Sequence, residues 1–435
     1  VLNRFINHIE ENFPHLGKEV FLLAISGGVD SVVLAHLCAA SKLDFALAHC
    51  NFHLREEESN KDEAFVRQLA KDLDKTLYVT HFQTREYATQ HKLTIQIAAR
   101  ELRYNWFKEL KQDHAIKTLV TAHHADDNLE TFLINLSRGT GIEGLTGIPA
   151  KTASISRPLL KFSREEVVTY AKENKLAWRE DASNEDVKYL RNNIRHTIVP
   201  RLKELHPTFL ENFLRTQEHL LDTLKINQDY IQNLRKQLFI KEENQEKVST
   251  TALLNLQPTK SYLFHFFKEY GFTQWDDIYG LLTANSGKEV HSPTHRLLKD
   301  REYLMLRRIT PEVETVYRIS EGQAIINEPI PMKIEEIDQM EKFSQNILYV
   351  DKEKLKYPLI IRKREKGDYF YPLGMRGKKK VSKFFKDEKL DSFSKENQWL
   401  LCSGNHVVWI IGKRADDRFK ITETTKNIVK ISLEQ

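Results

Sequence analysis

Residues 22–38 read LLAISGGVDSVVLAHLC: a buried-strand run, a loop with two glycines, then a helix-like pattern. A strand feeding a glycine loop and a helix belongs to a βαβ unit, and such a loop generally cradles an anion at the helix N-terminus. Similar alternation continues. FALAHCNF, TLYVTHF and KTLVTAHH read as further strands. SNKDEAFVRQLAKDL, IQIAARELRYNWFKELKQ and DDNLETFLINLSRG read as helices between and after them. Ser59 or Asn60 is available to cap the first of these helices, and Gly139 to stop the last. This order predicts an α/β domain with a parallel sheet and helices on both faces, its ligand at the carboxyl ends of the strands.

At 435 residues the chain exceeds one typical domain. Three units are expected: an α/β catalytic domain over 1–210, a helical middle domain over 211–310 and a small basic α+β domain over 346–435. The polar stretch 311–345 reads as a linker. Within the first unit, KFSREEVVTYAKENK carries a Ser163/Glu166 capping box, and the segment ending in IRHTIVPRLKEL is expected to be helical until Pro200. Residues 287–309 look like a strand pair.

With 40% hydrophobic and 29% charged residues, a globular core is expected, and the net charge of +5 tolerates a nucleic-acid partner without requiring one. The N-terminal stretch lacks the pattern of a signal peptide, and no apolar run is long enough to span a membrane. Cys38, Cys50 and Cys402 are widely separated, which argues against disulfides and cysteine-ligated clusters and points to a reducing compartment, the cytoplasm.

SGGVDS lacks the lysine of a Walker loop. Its glycines let backbone N–H groups approach an anion, and Ser26 and Ser31 add hydroxyls. Asp30 is out of place beside phosphate unless a cation such as Mg²⁺ lies between. The loop, Ser26, Gly27, Gly28, Val29, Asp30 and Ser31, resembles the PP-loop of N-type ATP pyrophosphatases. That resemblance implies that it holds the pyrophosphate end of ATP, which the family splits between the α and β phosphates.

Further motifs narrow the choice. AARELRY (98–104) sets Arg100 and Arg103 one helical turn apart, able to face one anion or to form surface ion pairs. In TAHHADDNLETFLINLSRGTGIEGLTGI (121–148), Asp127 and Glu130 share a helix face, suited to binding an ammonium group and taking its proton. Asp126 at the helix start suits an N-cap, and His123 with His124 suits either a structural pair or a metal site. Arg191 and Arg195 stand at i, i+4, suited to phosphate or to a solvated face.

Together with HCNFHLR, RPLL, D-x-SN at 181–184 and IRKREKGDYFYPLGMRGKKKVSKFFKDEKL at 361–390, these motifs are similar to the tRNA(Ile)-lysidine synthetase family. The similarity covers nearly the whole chain and is weakest between about 210 and 350. Asn128 and Phe52 depart from what other members often carry, at positions not needed for catalysis. The resemblance implies a C–N ligase that uses ATP and Mg²⁺, with free lysine and a CAU-anticodon isoleucine tRNA as partners. ATP adenylates C2 of the wobble cytidine, lysine displaces AMP, and the tRNA then reads AUA.

On this reading Arg103 and Arg195 stabilise the α-phosphate, Asp30 contacts Mg²⁺, Asp127 and Glu130 handle the lysine, and His123 aligns base or carboxylates. The basic run MRGKKKVSKFFK, with Arg376, Lys378, Lys379, Lys380 and Lys383 interleaved with Phe384 and Phe385, is expected on tRNA. The alternatives are a PP-loop tRNA thiolase, an amidotransferase-type synthetase, for which no ammonia-supplying domain is evident, and a non-catalytic tRNA-binding protein. Oligomeric state is left open.

Overall fold

The computed structural model describes residues 1–435 apart from 56, 181–189, 243–244, 310–315, 341–342 and 435. The motif at 181–184 therefore lies outside the described residues. Two compact units, Val1–Asp229 and Tyr230–Gln435, divide the chain.

The first unit is built on five parallel strands: β1 Phe21–Ala24, β2 Phe45–Asn51, β3 Leu77–His81, β4 Leu119–Val120 and β5 Ile155–Ser156, in the order β3-β2-β1-β4-β5. Its helices are α1 Leu2–Asn12, α2 Val29–Ala40, α3 Glu57–Asp72, α4 Thr84–His91, α5 Ile95–Asp113, α6 Ala125–Ser137, α7 Ile142–Leu145, α8 Arg164–Glu173, α9 Leu190–Asn193, α10 Val199–Leu205 and, up to Asp229, α11 Phe209–Leu238.

Successive strand residues point to opposite faces, so the sheet carries two cores. Leu23 and Leu47 pack with Phe5 of α1, Leu34 of α2, Val66 of α3 and Val167 of α8. Leu22, Ala46 and Ala48 pack on the other side with Phe107 and Leu110 of α5. Strand order reverses between β1 and β4, which opens a crevice at their carboxyl ends. SGGVDS leaves β1 there, and AHHADD leaves β4.

Local details differ from expectation. Helix α3 starts at Glu57, so Ser59 and Asn60 lie inside it, and the acidic Glu57 and Glu58 occupy its first turn, where they complement the helix dipole. Pro200 does not end its helix. Residues Ile194–Ile198 form a π turn, and α10 begins at Val199 with Pro200 in its first turn, where a missing N–H is harmless.

The expected boundary at 210 falls at the start of α11, a continuous 30-residue helix. The middle region is mixed rather than wholly helical. Three helices, Thr250–Leu254, Thr259–Phe267 and Trp275–Leu281, accompany a five-stranded antiparallel sheet. That sheet contains the expected pair, His295–Asp300 with Tyr303–Arg308, and also the hairpin Phe239–Glu242 with Gln245–Ser249.

The described part of 311–345 is no free linker. Tyr317–Ile319 pairs with Leu359–Lys363, and Met332–Ile337 pairs with Ile428–Leu433. Met332 is buried in the core of that domain while Lys333 is exposed, a strand alternation hidden within an acidic composition. Helices Val381–Asp387 and Ser392–Asn397 complete an α+β C-terminal region. Among the described residues no helix is long and apolar enough to cross a membrane.

Candidate active site

The loop after β1 is held by its own side chains. The Ser31 hydroxyl donates to the Gly28 carbonyl (3.0 Å) and accepts from the Ser26 N–H (3.2 Å), and the Gly28 N–H donates to the Ser26 hydroxyl (3.3 Å). Gly27 has φ +91°, so the backbone selects glycine there, although a Cβ would meet the Phe65 and Val66 side chains only at an ordinary 3.5 Å. Gly28 caps α2, whose first residue is Val29, so the helix presents its N-terminus to the crevice. The loop is tied from behind. The Arg179 N–H donates to the Gly27 carbonyl (2.9 Å), while its guanidinium binds Asp62 (2.8 Å) and Glu58 (2.6 Å) of α3.

Across the crevice, α6 is capped by His124, not by Asp126. The His124 ring accepts from the Asp127 N–H (3.3 Å), and the Asp127 carboxylate accepts from the His124 N–H (3.1 Å). Asp126 instead accepts from the Arg164 N–H (2.8 Å) and pairs with Lys203. His124 Nε2 stands 3.7 Å from the Asp30 carboxylate and 3.5 Å from that of Asp127, which puts it between the two motifs. Sequence reasoning left His124 as half of a structural or metal-binding histidine pair; its place in a reciprocal cap, H-x-x-D, was the readable signal.

Asp127 and Glu130 do share a face, as their spacing predicts. That face already holds arginines. Glu130, 1% exposed, accepts from Arg191 Nε (2.8 Å) and from Arg195 Nε (2.6 Å) and Nη2 (3.0 Å). Asp127 meets Arg195 at 3.1 Å and Arg191 at 3.5 Å. Burial alone would raise the Asp127 carboxyl. His124, His123 and Arg191 outweigh it and hold the group below the usual carboxylate range.

Ser26, Asp30, Ser31, Arg103, His123 and Asp127 line one cleft of about 300 Å³, together with Arg191 and Phe52. Glu130 and Arg195 are not on its wall; they reach it through Asp127. Nor is Arg100, whose guanidinium lies 4.8 Å over the Tyr104 ring, so the two arginines of AARELRY do not meet there. Asp30 has one buried oxygen, Oδ1, without a hydrogen-bond partner among the described residues, and burial raises its carboxyl above the ordinary range.

His123 contacts the Thr121 hydroxyl at 2.9 Å, and burial lowers its imidazolium to about 4. The ring is therefore neutral at pH 7. Its folded value lies below the unfolded 6.5, so the stability it contributes is complete above pH 6.5 and is lost as pH falls towards 4. An NMR titration of His123 is expected to show no transition above about pH 5; a midpoint near 6.5 would contradict the burial argument.

Comparison with known proteins decides the family. Models described as PP-loop domain, TilS substrate binding domain and TilS substrate C-terminal domain match residues 1–202, 241–309 and 359–433. A tRNA(Ile)-lysidine synthase of Parabacteroides distasonis is 38% identical over 417 residues, covering 94% of either chain. One of Bacteroides thetaiotaomicron is 37% identical over 435 residues, covering 99% of either chain. The chain belongs to the tRNA(Ile)-lysidine synthase family.

Among solved structures, the U34-tRNA thiolase NcsA of Methanococcus maripaludis is 17% identical, with TM-score 0.42 over 51% of this chain and 78% of that one. So slight a likeness carries no argument.

The basic run lies in the C-terminal region that matches this lysidine synthase family. Arg376, Lys378, Lys379, Lys380 and Lys383 line a pocket of about 660 Å³ with Tyr369. Lys379 is paired with Asp387 at 2.8 Å, whereas Arg376, Lys378, Lys380 and Lys383 are exposed. Phe384 and Phe385 are buried in a core with Phe370 and Val381, so they offer no ring to RNA. Tyr369, 40% exposed with Lys378 5.2 Å from its centroid, is the aromatic group this surface presents. Its helix-distant position in GDYFY gave no periodic signal.

Proposed function

We propose that the chain ligates free lysine to C2 of the wobble cytidine of a CAU-anticodon isoleucine tRNA, so that the tRNA reads AUA. ATP is consumed, and AMP and pyrophosphate are released. The observation that carries this reading is one cleft walled on one side by an anion-binding loop and on the other by a carboxylate. Two half-reactions need those two walls. First the C2 oxygen attacks the α-phosphorus, and pyrophosphate departs towards Ser26, Ser31 and the N-terminus of α2. Then the lysine ε-amine attacks C2, and AMP leaves with the oxygen.

Arg103 stands on the cleft wall, where a guanidinium can hold the α-phosphate oxygens. An ammonium is not a nucleophile, so the lysine must first give up a proton. Asp127, held ionised on the cleft wall, binds the cation in exchange for its 3.1 Å contact with Arg195 and accepts or relays that proton. His123, neutral, positions a base edge by hydrogen bonding and does not compete with the ammonium for the carboxylate.

Glu130 has both oxygens occupied by Arg191 and Arg195. It supports Asp127 from behind and meets a substrate cation only if an arginine withdraws. Arg195, so released, would join Arg103 at the phosphate.

Mg²⁺ fits Asp30. The unpartnered Oδ1 is a free ligand oxygen, and Mg²⁺ is ordinarily held by one or two carboxylates with substrate phosphates and water. The ion would neutralise charge on the departing pyrophosphate.

Sulfur transfer is disfavoured. Cys50, on the cleft, has its thiol pushed up to about 12 by burial, and Cys38 and Cys402 are buried. A cytoplasmic location follows from the substrates and the free thiols.

The test is ATP-dependent incorporation of labelled lysine into CAU-anticodon isoleucine tRNA. Pyrophosphate release without incorporation would leave the ATP chemistry standing and remove lysine as the nucleophile. Contacts on the basic pocket are expected to be to phosphates. The double substitution Lys378→Ala/Lys383→Ala should lower the slope of log K against log salt for tRNA binding by roughly 2, about one per lost contact, while ATP affinity stays unchanged.

A further inference from the structure

We propose that Phe52 is a positioning residue for Arg103, holding its guanidinium over the cleft by a cation–π contact in place of an acidic partner. This inference rests on the proposed ATP chemistry. The cleft arginines fall into two groups. Arg191 and Arg195 are neutralised by Asp127 and Glu130. Arg103 has no carboxylate within ion-pair distance among the described residues; its guanidinium lies 5.1 Å over the Phe52 ring.

That difference matters for an arginine meant to receive phosphate. A carboxylate fixes a guanidinium but consumes its donors and charge, whereas an aromatic face fixes the plane and leaves the in-plane N–H groups free. Phe52 can serve because it is itself fixed. Its ring stacks on Phe82 with centroids 5.6 Å apart, and its carbonyl accepts from the buried Thr84 hydroxyl at 2.9 Å. Phe52 and Arg103 both line the cleft. The long stem of Arg103 lies on the exposed side of α5.

The test compares the wild type with Phe52→Tyr, Phe52→Leu, Arg103→Gln and the Phe52→Leu/Arg103→Gln double variant. ATP-dependent pyrophosphate release is measured under single turnover with saturating tRNA and lysine. Phe52→Leu, which keeps the bulk and loses the π face, should lower the rate about 5-fold with KM for ATP within about twofold. Phe52→Tyr should stay within about twofold of wild type. In the Arg103→Gln background, Phe52→Leu should add less than about twofold.

If the leucine variant proves unfolded by its melting curve, Phe52→Met takes its place in the same cycle. Equal losses from Phe52→Leu in both backgrounds would overturn the inference, as would a tyrosine variant as slow as leucine. Wild type that releases no pyrophosphate would bring down the ATP reading and this inference with it. Normal wild-type release with additive losses would remove only the role of Phe52.

Discussion

Asp127→Asn is expected to cut lysine incorporation by about 10²–10³-fold while leaving ATP-dependent pyrophosphate release within about tenfold of wild type. The two readouts separate because the carboxylate and the phosphate loop occupy different walls of the cleft. Asparagine keeps the volume of Asp127 and can still accept the His124 N–H that now reaches Asp127 at 3.1 Å, so α6 stays capped. It loses the charge that attracts an ammonium and the basicity that takes its proton. Labelled lysine and pyrophosphate, followed in one reaction mixture, decide the matter. Equal loss of both products would mean that Asp127 acts on the nucleotide instead.

Glu130→Ala is expected to act first on stability, lowering it by about 3 kcal/mol or more, the usual range for removing one partner of a buried ion-pair network. The reason is burial: Glu130 is 1% exposed and satisfies Arg191 and Arg195 with both oxygens. Its removal leaves Arg195, with a side chain only 22% exposed, facing Asp127 alone. For a unit of this size such a loss corresponds to a fall of about 10 °C in melting temperature. Glu130→Gln, which keeps the shape and part of the hydrogen bonding, should fall between wild type and alanine. A thermal melt of the three proteins checks the order. An alanine variant as stable as wild type would mean that Glu130 is free to bind substrate from the outset.

These two carboxylates show how far a sequence reaches into a site. The i, i+3 spacing of Asp127 and Glu130 was enough to put them on one helix face, because 3.6 residues per turn leaves no choice. Which of the two meets the cleft depends on where α9 and its π turn place Arg191 and Arg195, 61 residues or more away in sequence. Phe52 was set aside for a related reason. Nothing about a phenylalanine after β2 shows that an arginine of α5 will come to lie on it.

Misreadings elsewhere share one origin. Pro200 reads as a helix end until its place in a first turn is known. Ser59 and Asn60 read as caps until the chain is seen to have turned helical at Glu57. Residues 311–345 read as a linker because acidic residues outnumber basic ones there, yet Met332 belongs to a core closed by Ile428–Leu433 at the far end of the chain.

Local pattern in the chain was enough for the parallel α/β domain, the glycine loop with Gly27 and Gly28, the shared face of Asp127 and Glu130 and the basic C-terminal run. Each is written in local spacing or in a residue type with one conformational use. The tertiary structure alone decided that His124 links Asp30 to Asp127, that Glu130 stands behind the cleft with its charge already matched, and that Arg103 rests on an aromatic ring. Those are relations between elements distant in the chain. They are fixed by sheet order and by burial, which sets the strength of each charge, and neither quantity has a local signature.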